Sequence, residues 1–198
     1  MINTIFRPYA VILLLGISAV ASTSVLAEGV QQRPVPNQPG TAAISSPRET
    51  RNDAQIAAIL LTANHVDIDA GQFALARAHN PEVKAFAQQM IADHGNVNTQ
   101  AIELVTKLGV TPQVSTTSAE LKRAGDQNVS KLQRLRGIAF DRAYVNHEVG
   151  YHQAVLDEID DVLIPDSRNA GLKALLKKVR PTIAEHLQHA ETIKASLH

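Results

Sequence analysis

Apolar residues recur at alternating steps of four and three positions along much of the chain, and this spacing predicts long α-helices packed against one another. The clearest stripe comprises Val83, Ala87, Met90, His94, Val97, Ala101, Leu104 and Leu108. Steps of this kind keep one face of a helix turned towards its neighbours. From residue 52 onward, the sequence has no convincing stretch with the period of two that indicates a β-strand. The predicted fold class is therefore all-α.

Four long helices are predicted from this periodicity. They cover residues 53–78, 81–108, 140–163 and a last segment from about residue 167 almost to the C-terminus. Asn52 or Asp53 can cap the first helix, and Asn80 can cap the second. Pro81 follows at the first helical position, where proline is favoured. Gly109 is a typical residue to end the second helix.

The connection between the second and third helices is long. Residues 110–137 are predicted to hold a short helix that begins near Ser118 and is broken by Gly137. A long connection lets the two helices that it joins run in the same direction, whereas a short turn makes neighbours antiparallel. We therefore predict a ferritin-like four-helix bundle with a short extra helix in this connection.

The first 27 residues are predicted to be an export signal. A short segment with one arginine, MINTIFR, precedes the apolar run YAVILLLGISAVA, and the small residues of VLA then predict cleavage after Ala27. The mature protein would be periplasmic or secreted. The alternative is an uncleaved membrane anchor, although the apolar run is short for the ~20 residues that span a bilayer. Residues 28–50 are rich in proline, glycine and small polar residues, which predicts a disordered linker before a domain of residues 51–198.

The charge and cysteine content exclude several classes of protein. Lys and Arg number 19 and Asp and Glu number 19, so the formal net charge is zero. No strongly basic patch is apparent, which argues against a nucleic-acid partner. The chain has no cysteine, which excludes disulfides, thiolate metal ligands and a lipoprotein anchor. Protein partners stay undefined, and the composition is compatible with an oligomer.

Three histidines and one aspartate lie on the predicted buried faces of the four helices. His94, His152 and His186 each interrupt an apolar stripe, and Asp67 lies among small residues of the first helix. The stripe of the third helix comprises Val145, Val149, His152, Leu156, Ile159 and Leu163. At ~1.5 Å rise per residue, all four fall near the middle of their helices, with His186 somewhat past it. Mid-helix residues of a bundle meet in one layer. Three imidazoles and a carboxylate suit a single Zn²⁺, Cu²⁺, Fe²⁺ or Mn²⁺ ion, so we predict a buried transition-metal site.

A metal-free polar core is the alternative interpretation of the same residues. An Asp–His hydrogen-bond network satisfies buried polar groups without a metal, and the protein would then be a structural or interaction module. A catalytic di-iron centre is disfavoured, because Glu148 and His152 lie one residue further apart than the Glu-x-x-His pair of such proteins. An enzyme is therefore the least favoured class. Asp93 lies off its stripe and is expected to face solvent.

A resemblance to a bacterial family adds to these predictions. The segment FALARAHNPEVKAFAQQMIADHGNVN, with its signature N-P-x-V-K-x-F-A-x-x-M-x-x-D-H, resembles a family of exported domains of unknown function that are described as periplasmic or outer-membrane proteins. The similarity covers about residues 52–196. It implies a ferritin-like fold and export. Its motif histidines correspond to His94, His152 and His186, and the family often has glutamate where this chain has Asp67, whose shorter side chain reaches less far.

Together, these features predict an exported, ferritin-like bundle that binds a metal through a buried His/Asp layer. Such a protein would act in metal handling or in the response to envelope stress, and would not need to be an enzyme. The resemblance itself implies no activity.

Overall fold

The computed structural model describes residues 50–197, and every regular element in that range is helical. In chain order, the elements are α1 (Asp53–Arg77), α2 (Pro81–Leu108), α3 (Thr116–Leu132), α4 (Gly137–Glu158), a π-helical turn (Ile159–Leu163), α5 (Ile164–Asp166) and α6 (Ala170–Ser196). The all-α prediction is confirmed for this part of the chain. The predicted export signal and residues 28–49 of the predicted linker lie outside the described residues. Within residues 50–197, no helix combines the length and the hydrophobicity needed to cross a membrane.

Polar side chains begin the first two helices where the sequence predicted. The Asn52 side chain accepts a hydrogen bond from the backbone N–H of Gln55 (2.9 Å), and the Gln55 side chain accepts one from the N–H of Asn52 (3.1 Å). This reciprocal pair satisfies two backbone donors that the helix itself leaves unpaired. Asn80 caps α2 by accepting from the N–H of Glu82 at 2.7 Å. Gly109 ends α2 in the left-handed conformation, with φ of 63°.

The segment between α2 and α4 is more ordered than predicted. In place of a short helix from Ser118, α3 is a helix of 17 residues capped by Ser115. Its buried residues are Ser118, Gly125 and Leu132, which are seven positions apart. Two of these three are Ser and Gly, so the buried face of α3 is regular in spacing but consists largely of small residues. Gly137 does not break α3 but begins α4, with φ of 56°.

α3 packs closely on α1 because Gly125 has no side chain. A Cβ atom built at Gly125 would lie 2.7 Å from Cγ1 and 2.8 Å from Cγ2 of Val66. Carbon atoms make favourable contact at about 3.5–4.0 Å, so any larger residue at this position would force the two helices apart. The contact places α3 over the middle of α1.

We expect Gly125→Ala to lower the free energy of unfolding by about 1–3 kcal/mol, because the added methyl group overpacks the α1–α3 contact. Gly150→Ala is the matched control. Gly150 is an exposed position within α4 where an added Cβ meets nothing within 4 Å, so this variant should be more stable by about 0.5–1 kcal/mol. Urea unfolding followed by circular dichroism measures both. Equal effects of the two substitutions would show that α3 does not pack as described.

The predicted third and fourth helices differ from the structure at their facing ends. The predicted helix to residue 163 changes to a π-helical turn over Ile159–Leu163 and continues into α5, and α6 begins at Ala170 rather than near residue 167. Asp53 explains the later start. Its carboxylate accepts from the backbone N–H of Arg168 (2.9 Å) and Asn169 (3.0 Å), and the Asn169 side chain then caps α6. This carboxylate therefore ties the start of α6 to the start of α1.

The buried apolar side chains form two clusters, one towards each end of the long helices. The first cluster contains Ile56, Ile59, Leu60, Val97, Ala101, Leu156, Ile159, Leu163, Leu172, Leu175, Leu176, Val179 and Ile183. The second cluster contains Ala70, Ala74, Ala78, Val83, Phe86, Ala87, Met90, Leu132, Phe140, Tyr144, Val145, Ala190 and Ile193. α1 and α6 pass from the first cluster to the second, whereas α2 and α4 pass from the second to the first. α2 and α4 therefore run in the same direction, as predicted from the long connection between them.

Candidate metal centre

The four predicted site residues lie in the gap between the two apolar clusters. Asp67 of α1, His94 of α2, His152 of α4 and His186 of α6 are each at most 3% exposed. The three imidazole rings form a triangle, with centroids 5.7 Å apart for His94 and His152, 5.3 Å for His94 and His186, and 5.4 Å for His152 and His186. The structure thus brings together all four residues that the helical spacing selected.

The Asp67 carboxylate connects two of these histidines. Its Oδ2 atom lies 3.0 Å from Nε2 of His94 and 3.3 Å from Nε2 of His152. One nitrogen of each of the three histidines lies within 4.8 Å of the corresponding nitrogens of the other two. Small shifts of these side chains would therefore bring all three imidazoles into contact with one cation placed among them.

His94 is held by an amide pair that leaves its Nε2 atom free to bind a cation. Nδ1 of His94 lies 2.8 Å from Oδ1 of Asn64, and Nδ2 of Asn64 donates to Oδ1 of Asn98 at 2.9 Å. An amide oxygen only accepts hydrogen bonds, so in this network Nδ1 of His94 carries the proton. Nε2 then presents its lone pair towards Asp67.

His152 has the same proton arrangement, set by its own helix. Nδ1 of His152 lies 2.9 Å from the backbone carbonyl oxygen of Glu148, one turn earlier in α4. Because a carbonyl oxygen is an acceptor, Nδ1 is the donor and the neutral ring has its lone pair on Nε2. An outer hydrogen bond of this kind fixes the orientation of a metal-binding histidine.

His186 binds its outer partner through the opposite ring nitrogen. Nε2 of His186 lies 2.9 Å from Oδ2 of Asp93, so the lone pair of the neutral ring is on Nδ1, which is buried and has no partner among the described residues. The prediction that Asp93 faces solvent is wrong. Its side chain is only 35% exposed, because α6 packs against this flank of α2 and brings His186 to it.

Glu148 belongs to the site although the sequence did not select it. Its side chain is fully buried, and a carboxylate oxygen lies 3.5 Å from Nδ1 of His152. Asp67, Glu148 and His152 form a second group of ligand atoms that lie within 4.8 Å of one another. The spacing of four residues between Glu148 and His152 places both on one face of α4. That spacing was the available signal, but Val149 was assigned to the buried stripe instead, and Val149 proves to be half-buried.

Burial keeps His152 and His186 neutral. It lowers the pKa of His152 to about 4, since the desolvated ring is costly to charge, even though Asp67 acts in the opposite direction. Burial also lowers the pKa of His186, against the hydrogen bond from Asp93. Both rings are therefore neutral at pH 7, which is the protonation state that binds metals.

The two carboxyl groups respond in opposite ways to the same surroundings. Burial acts to raise the pKa of Asp67, but the attraction of His94 and His152 outweighs burial and holds the pKa below its ordinary range. Burial raises the pKa of Glu148 well above its ordinary range, and the nearby negative charge of Asp67 raises it further. Without a metal at neutral pH, the Asp67 carboxyl group is therefore ionised and the Glu148 carboxyl group is protonated. A cation bound beside them would release the proton of Glu148.

The site has a surplus of hydrogen-bond acceptors. Within residues 50–197, the buried acceptor atoms with no hydrogen-bond partner include both carboxylate oxygens of Asp67 and of Glu148, Nε2 of His94 and of His152, and Nδ1 of His186. Buried polar atoms are paired in the great majority of cases. The protonated Glu148 supplies a single hydrogen to this group of seven atoms, and an ionised Asp67 and neutral imidazoles add none, so most of these acceptors stay unpaired. A positive ion is the species that such a group of atoms can bind.

The remaining histidines lie outside this group. His65 on α1 and His79 just after it are exposed. His147 stacks on Tyr151, with ring centroids 5.5 Å apart. His189 contacts Gln89 through Nδ1 (3.1 Å) and lies edge-on to a phenylalanine ring of α2. These contacts account for the half-buried His147 and the exposed His189 without a metal.

Comparison with known families identifies the domain. A family model described as a domain of unknown function, DUF4142, matches residues 38–193. The chain belongs to this family. The match to the DUF4142 domain includes every residue of the candidate site, and it confirms the resemblance to a family of domains of unknown function. No curated protein and no solved structure gives a match. The DUF4142 description states no activity, so the function has to be argued from the site itself.

Proposed function

We propose that this protein binds a single divalent transition-metal ion through His94, His152, His186 and Asp67, with Glu148 beside the ion. The surplus of buried acceptors carries this proposal. A metal-free core of the same residues would have to bury an ionised carboxylate among neutral imidazoles whose lone pairs point towards it. A divalent cation removes that repulsion and satisfies several acceptors at once.

The chemistry of the donor atoms limits the metal. Three imidazole nitrogens and one or two carboxylates suit Fe²⁺, Mn²⁺, Zn²⁺ or Cu²⁺, whereas Ca²⁺ and Mg²⁺ prefer shells made of oxygen. Each histidine also has an outer partner that holds its ring in the ligating orientation: an asparagine, a backbone carbonyl and an aspartate. Such partners are typical of metal centres and raise the basicity of the ligating nitrogen.

The fold and the location complete the proposal. The directions of the four long helices support a ferritin-like four-helix bundle, to which α3 is added on the surface of α1. The charge and hydrophobicity of residues 1–27 support export to the periplasm or beyond. An exported protein with a nitrogen-rich, enclosed metal site would act in metal handling, by binding or storing the ion outside the cytoplasm. A link to envelope stress stays a prediction.

The proposal is tested by metal analysis of the protein produced with its own N-terminal segment and purified without an affinity tag or chelator. We expect about one transition-metal ion per chain after equilibration with the metal, as for a site formed by one folded domain. The His94→Ala/His152→Ala double variant should retain its helical circular dichroism and bind no stoichiometric metal. The mass of the purified chain also shows whether residues 1–27 have been removed.

The matched control is the His65→Ala/His79→Ala double variant. It removes two exposed histidines and leaves the site intact, so it should bind as much metal as the wild type. If both double variants lost metal equally, the binding would be due to surface histidines. If the wild type bound none, the buried residues would form a metal-free polar core, and the protein would be better regarded as a structural or interaction module.

A further inference from the structure

The hydroxyl of Tyr144 is a buried donor without an acceptor. The Tyr144 side chain is 0% exposed, and its oxygen has no hydrogen-bond partner among residues 50–197. A buried tyrosine hydroxyl normally finds a partner, because leaving it unpaired costs free energy. Tyr151, two turns later in α4, differs in this respect. Its hydroxyl donates a hydrogen bond to the carbonyl oxygen of Ala63 at 2.8 Å.

Three observations place the Tyr144 hydroxyl beside the candidate metal centre. Tyr144, Glu148 and His152 follow one another at intervals of four residues, so they share one face of α4. The ring of Phe86 packs edge-on against both Tyr144 (6.3 Å between centroids) and His152 (6.4 Å). Burial raises the pKa of Tyr144 well above its ordinary range, and the negative charges of Glu148 and Asp67 raise it further, in agreement with the shared face of α4.

The Tyr144 hydroxyl and the Glu148 carboxyl group belong to residues one turn apart on α4 and are not hydrogen-bonded to each other. Both carboxylate oxygens of Glu148 lack a partner within the described part of the chain, as does the hydroxyl of Tyr144. Direct contact between them would satisfy both groups. Because that contact is not made, a small polar molecule between them would complete the hydrogen bonds of each. The surrounding side chains are fully buried, so such a molecule has only a few atoms.

We propose that the metal centre is open to a small exogenous ligand, a water or a small oxygen- or nitrogen-donor anion, which binds the ion and accepts a hydrogen bond from Tyr144. This inference rests on the proposed metal binding and assigns that site an additional coordination position. Three imidazoles and one carboxylate occupy four positions, and Fe²⁺ and Mn²⁺ accept more than four ligands. Tyr144 is the donor that would select an anionic ligand, and Glu148 can accept from a ligand that carries a proton.

Azide titration of the Co²⁺-loaded protein, followed by its visible absorption, tests the inference. Wild-type protein should bind azide at the metal, with a change in the absorption bands of Co²⁺. Tyr144→Phe should bind Co²⁺ as the wild type does but bind azide about tenfold more weakly, which corresponds to the loss of one hydrogen bond to a charged ligand. Tyr151→Phe is the matched control and should bind azide like the wild type, because the Tyr151 hydroxyl already has its partner.

The two proposals fail in distinguishable ways. The Co²⁺ stoichiometry is measured first, and a wild-type protein that binds no Co²⁺ overturns the metal proposal and the inference together. Stoichiometric Co²⁺ without a spectral response to azide overturns the open position but not the metal proposal. Equal azide affinity in Tyr144→Phe and wild type overturns the hydrogen bond from Tyr144 to the ligand. The infrared stretching band of azide on the wild-type protein gives a second reading that needs no variant. A band that shifts on transfer to D₂O supports a hydrogen bond to the bound azide, and an unchanged band contradicts it.

Discussion

Asp67→Asn should abolish tight metal binding and, at the same time, stabilise the metal-free protein. The oxygen Oδ2 of Asp67 lies 3.0 Å and 3.3 Å from two ring nitrogens that carry lone pairs. An asparagine that places its NH₂ group at this position can donate one hydrogen to each nitrogen. The substitution also removes a buried negative charge. We expect the free energy of unfolding of the metal-free protein to rise by about 1–3 kcal/mol, the range for satisfying a buried polar group.

Metal binding should respond in the opposite direction. The substitution removes the carboxylate that lies between His94 and His152 and replaces it with an amide, which is neutral and a weak metal ligand. Replacing only an outer partner of a metal ligand typically costs about 10–100-fold in affinity. We therefore expect a loss of more than ~100-fold for Asp67→Asn, which removes a direct ligand.

Urea unfolding in the presence of a chelator and calorimetric metal titration measure the two effects separately. Asp69→Asn is the matched control, because Asp69 is an exposed aspartate of the same helix; it should change neither quantity by much. If the core were a stable, metal-free Asp–His network, Asp67→Asn would break a favourable charged pair and lower the stability. A destabilised Asp67→Asn protein would therefore refute the metal-centre interpretation and support the polar core.

The fold and the four central residues were predictable because they depend on periodicity. On each long helix the polar residue replaces an apolar one in a stripe with steps of three and four, so His94, His152 and His186 had to point into the core. Their depth followed from the constant rise of a helix. The parallel direction of α2 and α4 followed from the length of the connection. These inferences depend only on where a residue lies along and around its own helix. They do not depend on which residues of other helices it contacts.

The parts that sequence did not reveal depend on contacts between helices. Glu148 was passed over because a charged residue competed with Val149 for the buried stripe, and hydrophobicity favours valine. The burial of Glu148 becomes understandable only beside His152 and Asp67. Asp93 is adjacent to a stripe residue, and only the approach of α6 turns it into a partner of His186. α3 was underestimated because its packing face carries Ser118 and Gly125. The small size of Gly125 matters only against Val66 of α1.

Saturation with the bound ion should raise the melting temperature of the wild-type protein by about 10 °C. The ligands come from four different helices, so the unfolded chain cannot present them together and the ion binds only the folded state. At a free metal concentration about 1,000 times the dissociation constant, such binding stabilises by about 4 kcal/mol. For a chain of this size, each kcal/mol corresponds to roughly 2–4 °C.

Differential scanning calorimetry with and without chelator measures this shift, and Mg²⁺ at the same concentration is the ionic control. Mg²⁺ should leave the melting temperature unchanged, because its preferred oxygen shell is not offered here. The His94→Ala/His152→Ala variant should lose the shift, whereas the His65→Ala/His79→Ala variant should keep it. A shift that persisted without His94 and His152 would locate the ion elsewhere. A shift that disappears with them would mean that the ion holds α1, α2, α4 and α6 together at the level where the two apolar clusters are separated.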